Sequence, residues 1–227
     1  MKTAKVSKLS DWNIEGAISE VYMMDCVEAM KQCPDKHFDL AVVDPPYGIG
    51  VNKMTLGNGK NKIYRGELDW DKEPPSEEYF KELKRVSKNQ VIWGANHFIE
   101  NIPNANSSCW FFWDKGTGNN DFADGELAYT SFKTTVRKFL KSWVGANAKD
   151  GHKRIHPTQK PVALYDWIFK NYAKEGDLIL DTHLGSGSSR IAANKANLDF
   201  IGFEIDEDYF NDSEKRFKNF VSQLTLF

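Results

Sequence analysis

Short apolar runs and helical patterns take turns along this chain, and that alternation constrains the fold more than any other feature. "EVYMMD" (20–25), "FDLAVVD" (38–44), "QVIWGANHF" (90–98), "SCWFFWDK" (108–115), "ELAYTSF" (126–132), "DLILD" (177–181) and "DFIGFEID" (199–206) read as seven strands. Between them "CVEAMKQC" (26–33), "SEEYFKELKRVS" (76–87), "PVALYDWIFKNYA" (161–173), "GSSRIAANKA" (187–196) and a stretch from 207 to about 220 carry helical spacing, with Ser76 as a cap and Pro161 in a first turn. The layout predicts an α/β fold: a doubly wound, mostly parallel, seven-stranded-type sheet covered on both faces. At 227 residues the chain suits one such domain, 1–227.

Composition removes several classes. Hydrophobic residues at 41% and charged residues at 27% are ordinary for a globular protein, and no apolar run approaches the roughly 18 residues of a membrane span. The first residues carry lysines without an apolar stretch behind them, so the expectation is a cytoplasmic protein with no membrane partner. Cys26, Cys33 and Cys109 are odd in number and lack metal-ligand spacing, which predicts reduced thiols and no metal site. The net charge of −2 points to no partner, but its distribution does: from Lys133 to Lys160 eight basic residues face one acid, Asp150, a local balance of 8 − 1 = +7. A strip of that kind suits a phosphate backbone.

The run at 38–44 ends abruptly in "DPPYG". Pro45 and Pro46 cannot donate to a sheet ladder and hold φ near about −65°, so the strand stops at Asp44 and presents a carboxylate, a stiff corner and the ring of Tyr47 together.

Near the other end, "DLILDTHLGSGSSRIAANKANLDFIGFEID" joins a strand, a glycine turn, a helix and a second strand closed by an acid. Gly185 and Gly187 let the backbone turn tightly and approach a ligand, and Glu204 stands where an acid binds a ribose hydroxyl pair. The third glycine of a dinucleotide fingerprint and the Gly-Lys-Ser of a phosphate loop are both missing, which disfavours NAD and ATP. Asp181 at the strand tip suits a ligand bearing an ammonium group, and S-adenosyl-L-methionine (SAM) is such a ligand. Thr182, Ser186 and Ser188 complete this cofactor turn.

Taken together, "DPPYG", "HPTQKP" (156–161) and "DTHLGSGSS" followed by "FIGFEID" resemble the β-group of SAM-dependent DNA amino-methyltransferases, which act on adenine N6 or cytosine N4. The resemblance runs from about Val21 to Phe217, includes the circularly permuted order of catalytic motif before cofactor loop, and is strongest to small, phage-type members. It implies a Rossmann-like methyltransferase fold and assigns roles. Asp44 and the Pro45 carbonyl accept hydrogen bonds from the target amino group, Pro46 keeps both aimed, and Tyr47 stacks on the flipped base. Asp25, with Cys26 beside it, contacts the cofactor adenine, although Asp25 reads equally well as the cap of the helix behind it. Gln159 and Lys160 hold the cofactor, Lys160 through its methionine carboxylate, with His156 and Thr158 in the same segment. Trp113 and Lys115 line the base pocket, followed by Asn96 and His97. The expected function is transfer of a methyl group to adenine N6 in double-stranded DNA. The rivals are N4-cytosine methylation, methylation of another planar amine in RNA or protein, and an inactive DNA-binding subunit.

The chain also departs from that family. Only about twenty residues, 133–152, occupy the place of the larger enzymes' recognition region, so this basic strip, the 48–75 loop or a second subunit must read the sequence. A homodimer is therefore one expectation. Thr182-His183-Leu184 stands where many relatives carry a Pro and a Phe. The tail "QLTLF" (223–227) resembles the peptide by which bacterial replication proteins dock on the sliding clamp, against the plainer reading of a helix ending on packed apolar residues.

Overall fold

A single sheet runs through the molecule, and its central strands are apolar on both faces because helices cover both. The computed structural model describes residues 18–50, 71–117, 123–143 and 154–224. Within them lie β1 (Ser19–Met23), α1 (Cys26–Lys31), β2 (Phe38–Val43), α2 (Glu77–Val86), β3 (Ser87–Trp93), β4 (Trp110–Asp114), β5 (Gly125–Thr130), β6 (Arg137–Leu140), α3 (Val162–Tyr172), β7 (Leu178–Asp181), α4 (Ser188–Lys195), β8 (Asp199–Glu204) and α5 (Glu207–Leu224). Their order in the sheet is β1-β8-β7-β2-β3-β5-β4-β6, and only β5 runs antiparallel to its neighbours.

Alternate residues of β2 feed two cores. Ala41 and Val43 join Tyr79, Phe80 and Leu83 of α2, with Leu180 and Ile201. Leu40 and Val42 join Leu164 and Ile168 of α3, Ala192 of α4 and Phe200. The side-chain period of two in a strand makes this division, and the i, i+1, i+4, i+7 stripe Tyr79, Phe80, Leu83 and Val86 gives α2 its buried face.

The order in which strands are added reverses between β2 and β7, which run parallel. From β2 the chain continues to β3 on one side; from β7 it continues to β8 on the other, while β2 and β7 themselves pair through Leu40–Ile179 and Ala41–Leu180. Such a switch point leaves a crevice at the carboxyl ends of the strands, where ligands bind in open α/β sheets. Asp44 and Asp181 stand at the ends of these two strands.

Two expectations about the sheet change. It has eight strands where seven were read: the eighth, β6, falls in the basic strip, and its residues are mostly exposed, so no apolar pattern marks it. The strand read at 90–98 spans Ser87–Trp93 and ends at Gly94, whose φ of 70° starts two single 3-10 turns, Ala95–His97 and Ile99–Asn101. No described helix is long and apolar enough to cross a membrane. Most of the 48–75 loop (51–70), part of the basic strip (144–153) and the tail residues 225–227 lie outside the described residues.

Candidate active site

The strand β2 delivers Asp44 to the crevice, and the corner behind it is held from an unexpected direction. Pro45 is buried, and the N–H groups of Tyr47 and Gly48 both donate to Oδ1 of Asp71, at 2.8 and 3.0 Å. Gly50 N–H donates to the Asp71 carbonyl at 3.2 Å. Asp71 is 1% exposed, so this carboxylate substitutes for the ladder that the two prolines interrupt.

Tyr47 lies against a glycine. A Cβ on Gly94 would come within 2.1 Å of the Tyr47 ring, and the ring stacks on His97 with centroids 5.0 Å apart. Its hydroxyl donates to Asp44 Oδ1 at 2.8 Å and approaches Glu126 Oε2 at 3.4 Å.

The ammonium of Lys160 fills the centre of this corner. It sits 2.5 Å from Asp44 Oδ1, 3.0 Å from Glu126 Oε2 and 3.2 Å from the Tyr47 hydroxyl. Lys115 closes the string, 2.6 Å from Glu126 Oε1 and 5.1 Å from the Trp113 ring centroid. Burial alone would lower the Lys160 pKa, but Asp44 and Glu126 outweigh it and hold the amine protonated. Burial pushes the Asp44 carboxyl up; Lys160 opposes that and Glu126 adds to it. Burial also acts to raise Glu126, yet the two lysines bring it down to about 2.

Beside Asp44, the ends of β1, β7 and β8 gather the residues read as cofactor-binding. Asp181 is 2% exposed; Oδ1 accepts the His183 N–H at 3.1 Å and Oδ2 the Ser189 hydroxyl at 2.5 Å. Burial pushes it up to about 7, against those hydrogen bonds, and among the described residues no cationic side chain pairs with it. Glu204 accepts the Gly185 N–H at 2.8 Å and those of Ile205 and Asp206 at 2.9 and 3.0 Å, so it fixes the glycine turn. Gly185 and Gly187 take φ of 49° and 69°, and Gly187 caps α4. The hydroxyls of Ser186 and Ser188 lie 3.1 Å apart, with Arg216 donating to the Ser186 carbonyl and the Ser188 hydroxyl. Thr182 bonds the Tyr79 hydroxyl at 2.6 Å and His183 Nδ1 at 2.9 Å. Cys26 is a thiol that burial pushes up to about 12.

Several residues singled out in the sequence make contacts within the protein itself. Asp25 caps α1, Oδ1 accepting from Val27 and Glu28 N–H at 2.9 Å each, while the residue stays exposed at the end of β1. Lys160, read as a partner of the cofactor carboxylate, has its buried ammonium between Asp44 and Glu126, two residues before α3 begins. Gln159 braces its own loop, accepting Ile155 N–H at 3.0 Å and, through its carbonyl, the Trp143 indole at 2.6 Å. His156 bonds Thr158 Oγ1 at 3.1 Å and packs on Tyr209, with centroids 4.3 Å apart. His97 backs Tyr47, and the Trp113 side chain is buried, its indole donating to the Lys141 carbonyl at 3.0 Å. Asn96 is exposed. Sequence reasoning missed Asp71 and Glu126. Asp71 had no signal, since it belongs to an irregular loop; Glu126 opens the strand "ELAYTSF", where a lone acid at the edge of an apolar run could have drawn notice.

Comparison with known proteins bears on this arrangement. A family model described as DNA methylase matches residues 126–215. The chain is 24% identical over 254 residues to the type II methyltransferase M.HinfI of Haemophilus influenzae, across 91% of this chain and 70% of that protein. It is 25% identical over 247 residues to the type II methyltransferase M2.MboI of Moraxella bovis, across 90% of this chain and 89% of that one. Among solved structures, the M1.HpyAVI–SAM complex matches with a TM-score of 0.56 at 20% identity, covering 87% of this chain and 98% of that chain, a likeness of fold.

Proposed function

We propose that the chain is a DNA amino-methyltransferase and that it transfers the methyl group of S-adenosyl-L-methionine to the exocyclic N6 of a flipped-out adenine in double-stranded DNA. One observation carries the reading: the Asp44 corner and the Asp181–Gly187 turn, far apart in sequence, adjoin at the switch point of the sheet.

The residues at the strand ends fit the cofactor. Asp25, Asp181 and Glu204 bring three carboxylates to the tips of β1, β7 and β8, where they would hold the adenine, the ammonium and the ribose hydroxyls of SAM respectively. Asp181 is buried without a cationic partner among the described residues, and an ammonium beside it would return it to the charged form. When bound, SAM supplies an electrophilic methyl group.

This chain's own residues then do the rest. An amino nitrogen conjugated to a purine is a weak nucleophile, and acceptors that hold its hydrogens rotate its lone pair out of the ring. Asp44 Oδ2 and the Pro45 carbonyl are those acceptors. Lys160 and Tyr47 occupy Asp44 Oδ1 and so fix the orientation of the carboxyl, which is positioning that lowers a barrier. An Asp44 carboxyl raised by burial can also take the proton that the nitrogen sheds. Tyr47 offers the extruded base a ring to stack on, and His97 backs that ring. The exposed Lys133, Arg137 and Lys138 on and before β6 suit the phosphate backbone. An Asp rather than a Ser ahead of the two prolines supports adenine as the target.

Incubation with labelled SAM and mixed-sequence DNA, followed by digestion and separation of nucleosides, tests the proposal. Label in N6-methyladenosine upholds it. Label in N4-methylcytosine moves the target, and unlabelled DNA rejects it. Pairing of two copies and docking of residues 223–227 on a sliding clamp belong to the same proposal; equal recovery in a clamp pull-down with and without those residues would remove the second.

A further inference from the structure

We infer that Glu126 is a positioning residue for the methyl transfer: by sharing the Lys160 ammonium, which sits on Asp44 Oδ1, it leaves Asp44 the stronger acceptor for the target amino group. The inference rests on the reading of the chain as a DNA amino-methyltransferase.

Four charges alternate in a string, Lys115, Glu126, Lys160, Asp44. Each Glu126 oxygen holds one ammonium, Oε1 that of Lys115 at 2.6 Å and Oε2 that of Lys160 at 3.0 Å. The string sums to zero, which is how four ionised groups stay together where the Lys160 side chain is 3% exposed and the two carboxylates 17% and 21%. A carboxylate that was the sole counter-ion of a buried ammonium would spend its charge on that ammonium. Here a second carboxylate takes part of the lysine's charge and leaves Asp44 the stronger acceptor. Glu126 reaches this place because β5 runs antiparallel between β3 and β4, with Glu126 opposite Trp113. Its partners among the described residues are Lys115, Lys160 and, at 3.4 Å, the Tyr47 hydroxyl, so its link to Asp44 runs through Lys160 and Tyr47.

The charged and titratable groups facing Asp44 and Glu126 come from every surrounding element. They are Tyr47 after β2, Tyr79 on α2, Lys115 after β4, Lys160 before α3, Tyr165 on α3 and Asp181 at the end of β7. Glu126 is the anion nearest the Lys160 ammonium besides Asp44 itself, and Lys115 is the cation on its far side.

Two substitutions push Asp44 in opposite directions. Glu126→Gln removes a negative charge and draws Lys160 onto Asp44. The acid limb of the rate profile, followed from about pH 5 to about pH 9, then moves to lower pH, and the plateau rate falls roughly tenfold with the KM for SAM within about twofold. Lys115→Gln removes a positive charge and moves the acid limb to higher pH. Glu126→Asp recovers part of the plateau rate.

Acid limbs that stay at the wild-type position, or that move the same way in both variants, overturn the inference; a purely structural salt bridge would lower the thermal midpoint and leave the limbs in place. Should the wild-type protein label no DNA, the functional reading fails by itself. Carboxyl titration by carbon-13 NMR then decides the charge sharing: Asp44 should titrate lowest in Glu126→Gln, then wild type, then Lys115→Gln, and any other order overturns it.

Discussion

The Lys160 ammonium lies 2.5 Å from Asp44 Oδ1 with 3% of the lysine side chain exposed, so this lysine is the counter-ion of the carboxylate that ends β2. Lys160→Met leaves Asp44 and Glu126 as neighbouring, largely buried anions. We expect a loss of about 3 kcal/mol in stability by urea unfolding, since removing one partner of a buried ion pair strands the other. A loss confined to activity would show that the pair contributes nothing to folding.

Asp44→Asn keeps the shape of the corner and one acceptor oxygen but removes the charge. The rate of methyl transfer should drop by about 10²- to 10³-fold, the scale for one preorganised electrostatic contact. SAM affinity by calorimetry should stay within about twofold, because Asp181 and Glu204 remain in place. Matching losses in rate and affinity would mean that Asp44 serves the cofactor.

Asp71→Ala strands the N–H groups of Tyr47 and Gly48, which have no ladder to return to behind two prolines. Leaving buried donors unmatched costs about 2 kcal/mol, and the misplaced Tyr47 should lower the transfer rate while SAM binding persists. Wild-type turnover in this variant would show that the prolines alone hold the corner.

Gly94→Ala places a methyl group 2.1 Å from the Tyr47 ring and forces a residue with a Cβ to φ of 70°. The backbone term alone costs about 1–2 kcal/mol, and the ring must leave His97 and Asp44. The measurement is the transfer rate at a temperature where the variant is fully folded by circular dichroism; an unchanged rate would mean that the Tyr47 ring position is immaterial.

Buried titrations give stability a signed pH dependence. Asp181 is pushed up to about 7, so between about pH 4 and about pH 7 the folded protein holds a proton that the unfolded chain has released. Stability contributed by this site therefore falls as pH rises through that window, by up to about 1.4 kcal/mol per pH unit. Burial lowers His156 to about 3 and His183 to about 4, which has the opposite sign: below about pH 6.5 the unfolded chain takes up protons that the folded protein refuses, and stability falls as pH falls. Asp181→Asn should gain on wild type in urea midpoint at about pH 7.5 relative to about pH 4.5. A gain independent of pH would place that proton elsewhere.

Local features carried much of this structure. The Asp25 and Ser76 caps, the stripe of α2, the strand stopped by Pro45 and the left-handed glycines of the cofactor turn each depend on residues within a few positions, so periodicity and cap chemistry reveal them. The eighth strand was not legible, because β6 is an exposed edge whose residues answer to solvent and carry no apolar alternation. The pairings of Glu126 and Asp71 were not legible for another reason: their partners are Lys160 and the Tyr47 and Gly48 N–H groups, which no spacing rule links to them.

By itself the sequence determined that a strand ends in a carboxylate, a stiff corner and a ring, and that a second strand ends in a glycine turn closed by an acid. Only the tertiary structure decided that β2 and β7 are neighbours and that β5 runs against β3, and these two pairings bring Asp181, Lys160 and Glu126 to Asp44. The physical reason is that strand order follows from how whole apolar faces bury against one another, whereas a site's charges are set by which strand tips that packing brings within a few ångströms.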